Sequence, residues 1–371
     1  ITTRLVGSEM CIRDRFKFKG KLESCDVFGS GHINTTFLAT YNEDGKKRNY
    51  VIQKVNTSIF PDIDALMNSI FSVTDFLREK IKADGGNPHR ETLHFIRTFD
   101  GNKYFKDEDG SCYRAYRFVD NSKAYDTVDS AEVFGKSGKA FGRFQKYLSD
   151  FPAESLSEII KNFHNTIWRY ENEFIPAVQA DKADRAVNCG EEIKFVMHRR
   201  EDCKKLVELI EKGELPLRVT HNDTKLNNVL FDSDSDDAIC VIDLDTVMPG
   251  LALYDFGDSI RFGANSCAED DDNYDKVELM LDYFEAYAKG FLSEAGDALN
   301  QCEIDNLAFS AKLMTFECGM RFLTDYLNGD TYFKTAYPEH NLVRAKNQFA
   351  LVADMERKME QMQQIIKNIT E

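Results

Sequence analysis

The sequence predicts an α+β protein of two lobes, in which a five-stranded antiparallel sheet with one helix precedes a mostly helical region. Two observations favour this fold class. Short segments rich in β-forming residues fill the chain up to about residue 120, and helical spacing of apolar residues follows. The length of 371 residues suits two domains or one bilobed unit. We therefore place an N-terminal lobe at residues 16–120 and a C-terminal lobe at residues 121–371.

The N-terminal lobe combines strands with a single helix. Its predicted strands, separated by glycine- and aspartate-rich turn signals, are residues 21–27, 35–41, 50–55, 92–99 and 112–119. Pro61 stands where proline is tolerated at the first turn of a helix. Apolar residues then recur at helical spacing as far as Ile81, which predicts one helix between the third and fourth strands.

The C-terminal lobe is predicted to be mostly helical. Candidate helices cover residues 131–148, 165–178, 190–212, 274–295, 303–327 and 342–368. A strand pair interrupts them between residues 219 and 245, and the acidic run at residues 232–237 is expected to be a solvated loop between the two strands. The apolar stripe of the last helix is expected to pack on its own lobe, and the oligomeric state stays open.

Composition excludes several classes of partner. The net charge of −16 leaves no basic stripe for nucleic acid or for an anionic membrane surface. No stretch approaches the roughly 18 apolar residues of a membrane span. Nine cysteines without a Cys-x-x-Cys pair suit reduced thiols, so we expect a cytoplasmic protein.

The first fifteen residues are set apart from the fold. Residues 7–15 look like a translated adapter from a sequencing library, and residues 1–15 lack the layout of a signal peptide. The alternative is a genuine but disordered N-terminus, and under either interpretation the natural start of the chain stays open.

Residues 219–260 carry the most specific pattern in the chain. His221, Asp223 and Asn228 stand at the spacing His-x-Asp-x-x-x-x-Asn, and Asp243 follows after the strand pair. A carboxylate such as Asp223 can orient an attacking hydroxyl and accept its proton. Asn228 and Asp243 offer the hard oxygen ligands that Mg²⁺ prefers. This arrangement predicts phosphoryl transfer from ATP, with Asp223 as the base and Mg²⁺ as the cofactor.

The pattern also predicts roles for Lys225 and His221. Lys225 follows the predicted base by two residues, where its ammonium could contact the transferring phosphoryl group. His221 is expected to support the loop by hydrogen bonding. A polar turn without chemistry is the alternative, because Asn, Asp and Thr are common in turns. The complete spacing, with Asp255 and Asp258 downstream, favours the catalytic interpretation.

A glycine-rich loop joins the first two predicted strands. Gly29, Ser30 and Gly31 would let backbone amides approach nucleotide phosphates closely. The loop precedes a strand, which contradicts a dinucleotide-binding fingerprint, since that motif opens a helix. Two glycines in a hairpin are weak evidence alone, and the loop gains weight from its position upstream of the catalytic pattern.

Three questions stay open at this stage. Gln53 and Lys54 point to opposite faces of their strand, so only one can face the nucleotide. An acidic partner on the first helix is equally open among its carboxylates, which are Asp64, Asp75 and Glu79. Arg321, among apolar neighbours, either forms an ion pair with Glu317 one turn earlier or contacts a polar substrate.

These residues resemble the aminoglycoside phosphotransferase and choline kinase superfamily, which has a protein-kinase-like fold. The closer resemblance is to the N-acetylhexosamine 1-kinases. It runs from about residue 16 to the C-terminus and is carried by residues 29–34, 51–53, 221–225 and 242–245 and by the helix around Arg321.

The resemblance implies an ATP- and Mg²⁺-dependent kinase for the anomeric hydroxyl of N-acetylglucosamine or N-acetylgalactosamine. Carried over by position, the sugar-contacting residues would be His32, Phe262, Arg321 and Tyr332. Residues 114–120 would form the hinge that meets adenine. Gln53 departs from the Lys or Arg usual at its position, which would leave more of the phosphate binding to the glycine-rich loop, Mg²⁺ and Lys225.

Two alternatives accompany this expectation. The acceptor could be another small molecule, such as choline, a methylthio-sugar or an aminoglycoside. A cationic acceptor would want an acidic or aromatic pocket, and a lining of carboxylates would favour it. A non-catalytic nucleotide-binding scaffold is the alternative of another class, and the intact set of Asp223, Asn228 and Asp243 argues against it.

Overall fold

The computed structural model describes residues 14–29 and 34–371. Three predicted loop residues, Ser30, Gly31 and His32, therefore lie outside the described residues, as does most of the predicted adapter remnant. The chain forms two compact units. Unit 1 comprises residues 1–123, 155–159 and 230–247, and unit 2 comprises residues 124–154, 160–229 and 248–371.

Unit 1 contains the five-stranded antiparallel sheet that the sequence predicts, with the order β1-β2-β3-β5-β4. Its strands are β1 Lys21–Val27, β2 Thr35–Glu43, β3 Lys46–Val55, β4 Phe105–Lys106 and β5 Cys112–Arg117. Helix α1, Ile63–Ala83, begins where Asp62 accepts a hydrogen bond from the Ala65 amide at 2.9 Å. The predicted fold class is confirmed for this unit.

One predicted strand differs. Residues 92–99 form isolated bridges at Phe95 and Thr98 rather than a strand, and the fifth strand is β4. The reason is that two segments share one edge of β5. The two residues of β4 pair with the first two residues of β5. The Ile96 amide donates a hydrogen bond to the carbonyl of Ala115, farther along β5.

The two faces of the sheet differ in character. One face packs a buried apolar cluster that includes Phe16, Tyr50 and Ile52. Because side chains alternate along a strand, Lys54 shares the face of Ile52 and Gln53 lies on the opposite face. Lys54 is exposed and Gln53 is half-buried. The sheet therefore shows which face each side chain occupies. Lys54 lies on the face of the apolar cluster, and Gln53 lies on the other face.

Unit 1 ends in a second, three-stranded sheet with the order β6-β8-β9. These strands are β6 Ser122–Lys123, β8 Val229–Asp232 and β9 Ala238–Val241. The acidic residues between β8 and β9 form an exposed loop, as predicted. Its first carboxylate, Asp232, accepts a hydrogen bond from Arg90 at 2.9 Å and two from loop amides.

Unit 2 is mostly helical. Its helices are α2 Ala131–Tyr147, α3 Thr166–Arg169, α4 Ile175–Ala180, α5 Gly190–Met197, α6 Arg200–Glu211, α7 Ala252–Gly263, α8 Leu281–Ala295, α9 Gln301–Asp305, α10 Leu307–Asn328 and α11 His340–Thr370. Two short strands, β7 Arg218–Thr220 and β10 Met248–Gly250, pair antiparallel. The predicted strand pair on either side of the acidic loop is β8 and β9, which are neighbours in one sheet, whereas β7 and β10 form a separate pair in unit 2.

Three predicted helices are interrupted, and the one at residues 303–327 is broken at Asn306, between α9 and α10. A π turn at Tyr170–Phe174 separates α3 from α4, and Pro176, which lacks an amide hydrogen, follows it in the first turn of α4. The helix predicted at residues 190–212 breaks after α5. Arg199 there donates to the Phe195 carbonyl at 3.0 Å and so caps the helix end. The helix predicted from residue 274 begins only at Leu281, after a short 3₁₀ turn.

Within unit 2 the apolar stripe of α11 is buried, including Phe349, Val352 and Met355. This agrees with the expectation that the last helix packs on its own lobe. Among residues 14–29 and 34–371, no helix combines the length and the apolar composition needed to cross a bilayer.

Glycine allows α2 and α8 to pack closely, and this gives a stability prediction. A Cβ atom at Gly138 would lie 2.5 Å from the carbonyl oxygen of Tyr287 in α8. We expect Gly138→Ala to lower the free energy of unfolding by about 1–3 kcal/mol, because the clash with backbone outweighs the better helix propensity of alanine. Gly190→Ala is the control, since its Cβ would meet nothing within 4 Å. Urea denaturation measures both, and equal stability of the two variants would contradict the packing argument.

Candidate active site

The loop that carries Asp223 leaves β7 and is held by a buried carboxylate of α7. Asp255, which has no exposed surface, accepts hydrogen bonds from the amides of His221 at 2.9 Å and Asn222 at 2.8 Å. Gln145 of α2 donates to the same carboxylate at 2.9 Å. Asn222 has a φ of +64°, a left-handed conformation that asparagine tolerates. The turn into Asp223 is therefore fixed by contacts from two helices.

Further contacts from α7 hold the next residue, Thr224. Its amide donates to Asp258 at 3.1 Å, and its hydroxyl donates to the Asp255 carbonyl at 2.7 Å. Ser259 donates to the Thr224 carbonyl at 2.9 Å. Burial raises the pKa of Asp258, but Arg261 and Lys225 outweigh this effect and hold it below the usual value. The pattern Asp255-x-x-Asp258 thus positions the loop, a role that sequence reasoning did not assign.

Asp223 lies between two polar partners. Its Oδ1 atom lies 2.9 Å from Lys225 Nζ, and its Oδ2 atom accepts a hydrogen bond from Asn228 Nδ2 at 3.1 Å. Asn228 also donates to the Asp223 carbonyl at 2.8 Å. The Asp223 carboxylate raises the pKa of Lys225. The structure therefore brings together three of the predicted site residues, with the Asp223 side chain 31% exposed and open to a reactant.

His221 is fully buried beneath this loop. Its Nδ1 atom accepts a hydrogen bond from the Asp223 amide at 3.3 Å, and its ring makes edge contacts with Phe141 and Phe144. These contacts place Asp223 and leave His221 away from solvent. His221 is thus a positioning residue in this geometry.

A second polar group lies within unit 1, on the sheet face that carries Gln53. Arg114 of β5, 2% exposed, forms an ion pair with Asp245. It also donates to Gln53 Oε1 at 2.9 Å, and Asn34 donates to the second oxygen of Asp245 at 2.8 Å. Asp243, the predicted metal ligand, is two residues away with a φ of +59°. Gln53 therefore faces the segment that carries Asp243.

This group corrects two expectations about the sheet. Lys54, proposed as a nucleotide contact, lies on the other face. The predicted acid on α1 is replaced by Asp245, and Asp64 of that helix accepts the Tyr104 hydroxyl at 3.1 Å instead. Sequence reasoning assigned Arg114 only to the hinge. The sequence signal for this role was Gln53, which stands on β3 where a Lys or Arg is usual. Arg114 is the register partner of Gln53 on β5 and brings a cation to this place.

Arg321 lies in a cavity of about 510 Å³ within unit 2. Its guanidinium carbon is 5.3 Å from the ring centre of Phe163, 5.5 Å from that of Phe333 and 5.9 Å from that of Tyr332. Aromatic faces attract a cation at such distances. No carboxylate of the described residues lies within ion-pair distance of Arg321.

The ion pair with Glu317, one of the two alternatives for Arg321, does not form. Glu317 is buried and is bonded by His164 Nδ1 at 2.7 Å and by the Thr166 hydroxyl at 2.5 Å. Burial raises the pKa of Glu317, but His164, Arg169 and Thr166 together outweigh this effect and hold it below the usual value. Arg321 therefore lines the cavity without a carboxylate partner in the described chain, and its contacts there are with aromatic rings.

The loop that carries Tyr332 is built around one carboxylate. Asp325, 5% exposed, accepts the amides of Thr331, Tyr332 and Phe333, each at 2.9 Å. It thereby holds two of the rings that surround Arg321. This support comes from α10, the helix that also carries Arg321, and α10 packs directly on α7.

The remaining predicted site residues are Phe262 and those of the glycine-rich loop. Phe262 lies half-buried on α7, next to Arg261, and does not line the cavity of Arg321. Gly29, at the described edge of the glycine-rich loop, has a φ of +76°, which glycine adopts freely. The remaining loop residues, Ser30, Gly31 and His32, lie outside the described residues.

Comparison with known proteins identifies the family. The sequence model of the phosphotransferase enzyme family, APH, matches residues 25–290. Among solved structures, choline kinase from Cryptosporidium parvum is similar, with 12% identity, a TM-score of 0.57 and coverage of 93% of this chain and 92% of that chain. Spectinomycin phosphotransferase APH(9)-Ia, in complex with ADP and spectinomycin, has 13% identity, a TM-score of 0.53 and coverage of 92% and 94%.

A third solved structure has the same fold. An aminoglycoside phosphotransferase from Alicyclobacillus acidocaldarius shares 12% identity, with a TM-score of 0.54 and coverage of 95% of this chain and 96% of that chain. Identities this low show the fold, and the family match adds the class of reaction. The chain belongs to the phosphotransferase enzyme family, APH.

Proposed function

We propose that this chain is an ATP- and Mg²⁺-dependent kinase that phosphorylates the anomeric hydroxyl of N-acetylglucosamine or N-acetylgalactosamine. The observation that carries the sugar assignment is Arg321, which has no carboxylate partner among the described residues and lines a cavity together with Tyr332 and Phe333. A neutral sugar needs a few directed donors and an apolar wall, and this cavity supplies both.

Asp223 is the proposed catalytic base. Its carboxylate accepts a hydrogen bond from the acceptor hydroxyl and takes the proton as the new bond to phosphorus forms. Lys225, 2.9 Å from the carboxylate, carries positive charge beside the reacting atoms. The amide of Asn228 fixes the other carboxylate oxygen, so that the reactive lone pairs keep one direction.

Asn228 and Asp243 are the proposed Mg²⁺ ligands. The Asn228 amide nitrogen donates to Asp223, which leaves its carbonyl oxygen directed elsewhere as a neutral ligand. Asp243 is exposed and contributes an anionic oxygen. Such hard oxygens fit Mg²⁺, which prefers few protein ligands together with phosphate oxygens and water. When bound, the metal neutralises charge on the nucleotide phosphates.

Nucleotide binding is assigned to the sheet face of Gln53. Gly29 and the loop that follows it would bring backbone amides to the phosphates. Gln53 and Arg114 lie on the face that carries Asp245, where the guanidinium keeps a positive charge near the metal-binding segment. Lys54 is left out of this assignment because it lies on the other face.

The charges around the Arg321 cavity favour a neutral acceptor over a cationic one. Besides Arg321 they include Arg169, Lys161 and Lys182. The two lining carboxylates already have partners, since Glu173 is bonded by Arg169 at 2.7 Å and Asp325 by loop amides. An aminoglycoside would need free carboxylates in this place, and the rings that could meet the quaternary ammonium of choline face the guanidinium of Arg321 instead.

The direct test is a panel of acceptors incubated with ATP and Mg²⁺ and analysed by phosphorus NMR. We expect phosphate on the anomeric oxygen of an N-acetylhexosamine. Transfer only to choline or an aminoglycoside would refute the sugar assignment and keep the kinase. Absence of transfer to every acceptor, with ATP bound, would instead favour a nucleotide-binding scaffold.

Arg321 gives a prediction for acceptor binding. We expect Arg321→Leu to raise the acceptor KM by about 10- to 100-fold, because a charge-assisted hydrogen bond to the acceptor is lost. The KM for ATP should change little. Arg357→Leu is the matched control, since Arg357 is exposed on α11 and pairs with Asp354. Steady-state kinetics that give the two variants the same acceptor KM would remove Arg321 from the acceptor site.

A further inference from the structure

A second cavity, of about 590 Å³, lies in unit 1 between α1 and the sheet. Cationic side chains dominate its wall: Lys17, Lys19, Arg48, Arg78, Arg97 and Arg117. Of the described residues that line it, only Asp75 is a carboxylate. In a chain with a net charge of −16, this concentration of positive charge runs against the overall composition. We call this cavity the basic groove.

Most of the cations in the basic groove are not neutralised. Arg78 bonds only the Pro88 carbonyl, at 3.4 Å, and Arg97 bonds the Gly101 carbonyl at 3.1 Å. The ammonium groups of Lys17 and Lys19 have no partner in the described part of the chain. The two remaining arginines have carboxylate neighbours outside the wall, Arg48 with Glu43 and Arg117 with Asp120 at 3.9 Å.

Two histidines complete the wall. The rings of His89 and His94 stack with centroids 5.4 Å apart, and their Nδ1 atoms are 3.4 Å apart. Burial, together with Arg78, His89 and Arg117, lowers the pKa of His94 to about 4. The two arginines contribute because they repel a further positive charge, and such a concentration of cations attracts an anion.

We propose that the basic groove binds a small polyanion that carries several phosphate or carboxylate groups. Planar guanidinium groups bind either oxyanion in a bidentate manner. The volume suits a small molecule, and Tyr50 and Phe71 supply an apolar floor. Tyr50 lies on the sheet face opposite Gln53, so this site is separate from the residues assigned to the nucleotide.

Isothermal titration of citrate and of pyrophosphate, without metal and at low ionic strength, tests the site. We expect the wild-type chain to bind at least one probe, and Arg78→Glu to weaken that binding on the order of tenfold or more. Lys82→Glu, the same charge change at an exposed position of α1, should leave it unchanged. Binding of citrate alone indicates a carboxylate ligand, and binding of pyrophosphate alone indicates a phosphate ligand. Binding of neither probe, or equal effects of the two variants, overturns the proposal.

A measurement on the wild-type chain protects the test against a variant that does not fold. The groups that face His94 are Arg78, Arg117 and His89, and a bound polyanion would offset their repulsion. NMR titration of the His94 imidazole should therefore show its pKa rising from about 4 towards the ordinary 6.5 when the bound probe is present. A pKa that stays constant at saturating probe places the anion elsewhere and refutes the site.

Discussion

Asp223→Asn is expected to lower kcat by about 10²- to 10⁴-fold with the best acceptor, while leaving the fold intact. Asparagine has the size of the carboxylate, and its one carbonyl oxygen can still accept a hydrogen bond from either Asn228 or Lys225. It cannot take the proton of the attacking hydroxyl, and it removes the negative charge that Lys225 faces at 2.9 Å. Release of ADP in a coupled assay measures the effect.

Asp282→Asn is the control for this substitution. Asp282 is an exposed residue in the first turn of α8, far in sequence from the loop, and the change is chemically identical. Its kcat should equal that of the wild-type enzyme. An Asp223→Asn variant that kept full turnover would refute the assignment of Asp223 as the base, whichever acceptor the enzyme uses.

The spacing of Asp223 and its partners could be predicted because those contacts are local. Lys225 and Asn228 reach Asp223 from two and five residues away, and a tight turn after a strand brings such neighbours together. The contacts that hold the loop in place are not local. Asp255 lies more than thirty residues beyond His221, and Gln145 lies on a helix that precedes both. Sequence spacing shows that these polar residues exist but not which of them meet.

The sheet shows the same limit. Alternation along β3 predicts that Gln53 and Lys54 face opposite sides. It does not say which side is covered by the apolar cluster around Phe16 and Tyr50, and that packing decides the outcome. Likewise, β propensity predicted a strand at residues 92–99, but two segments share one edge of β5 and neither obtains a full ladder.

Arg321 shows how a structure can decide between two readings of one pattern. Helical spacing allows a pair with Glu317 one turn earlier. His164 and Thr166 reach Glu317 from a distant part of the chain and occupy both of its oxygens. Arg321 is therefore left without Glu317 as a partner. The loop of Tyr332 lies beside Arg321 because Asp325 accepts hydrogen bonds from three successive amides of that loop.

Arg114→Met is expected to lower the free energy of unfolding by about 3–5 kcal/mol, measured by urea denaturation. Arg114 and Asp245 are 2% and 4% exposed, so the substitution leaves a buried carboxylate whose remaining partner is Asn34. Gln53 also loses its donor. Removing both charges with Arg114→Met and Asp245→Leu should recover part of the loss, because the double variant buries no uncompensated charge.

Arg117→Met provides the matched control on the same strand. Arg117 is half-buried, and its nearest carboxylate, Asp120, is 3.9 Å away, so a change of less than about 1 kcal/mol is expected. A large difference between the two arginines would show that burial makes the Arg114 pair costly to break. Equal small losses would mean that solvent reaches Asp245 in solution. In that case the ordered face of Gln53 and Asp245, on which the nucleotide assignment depends, would have no structural support from this ion pair.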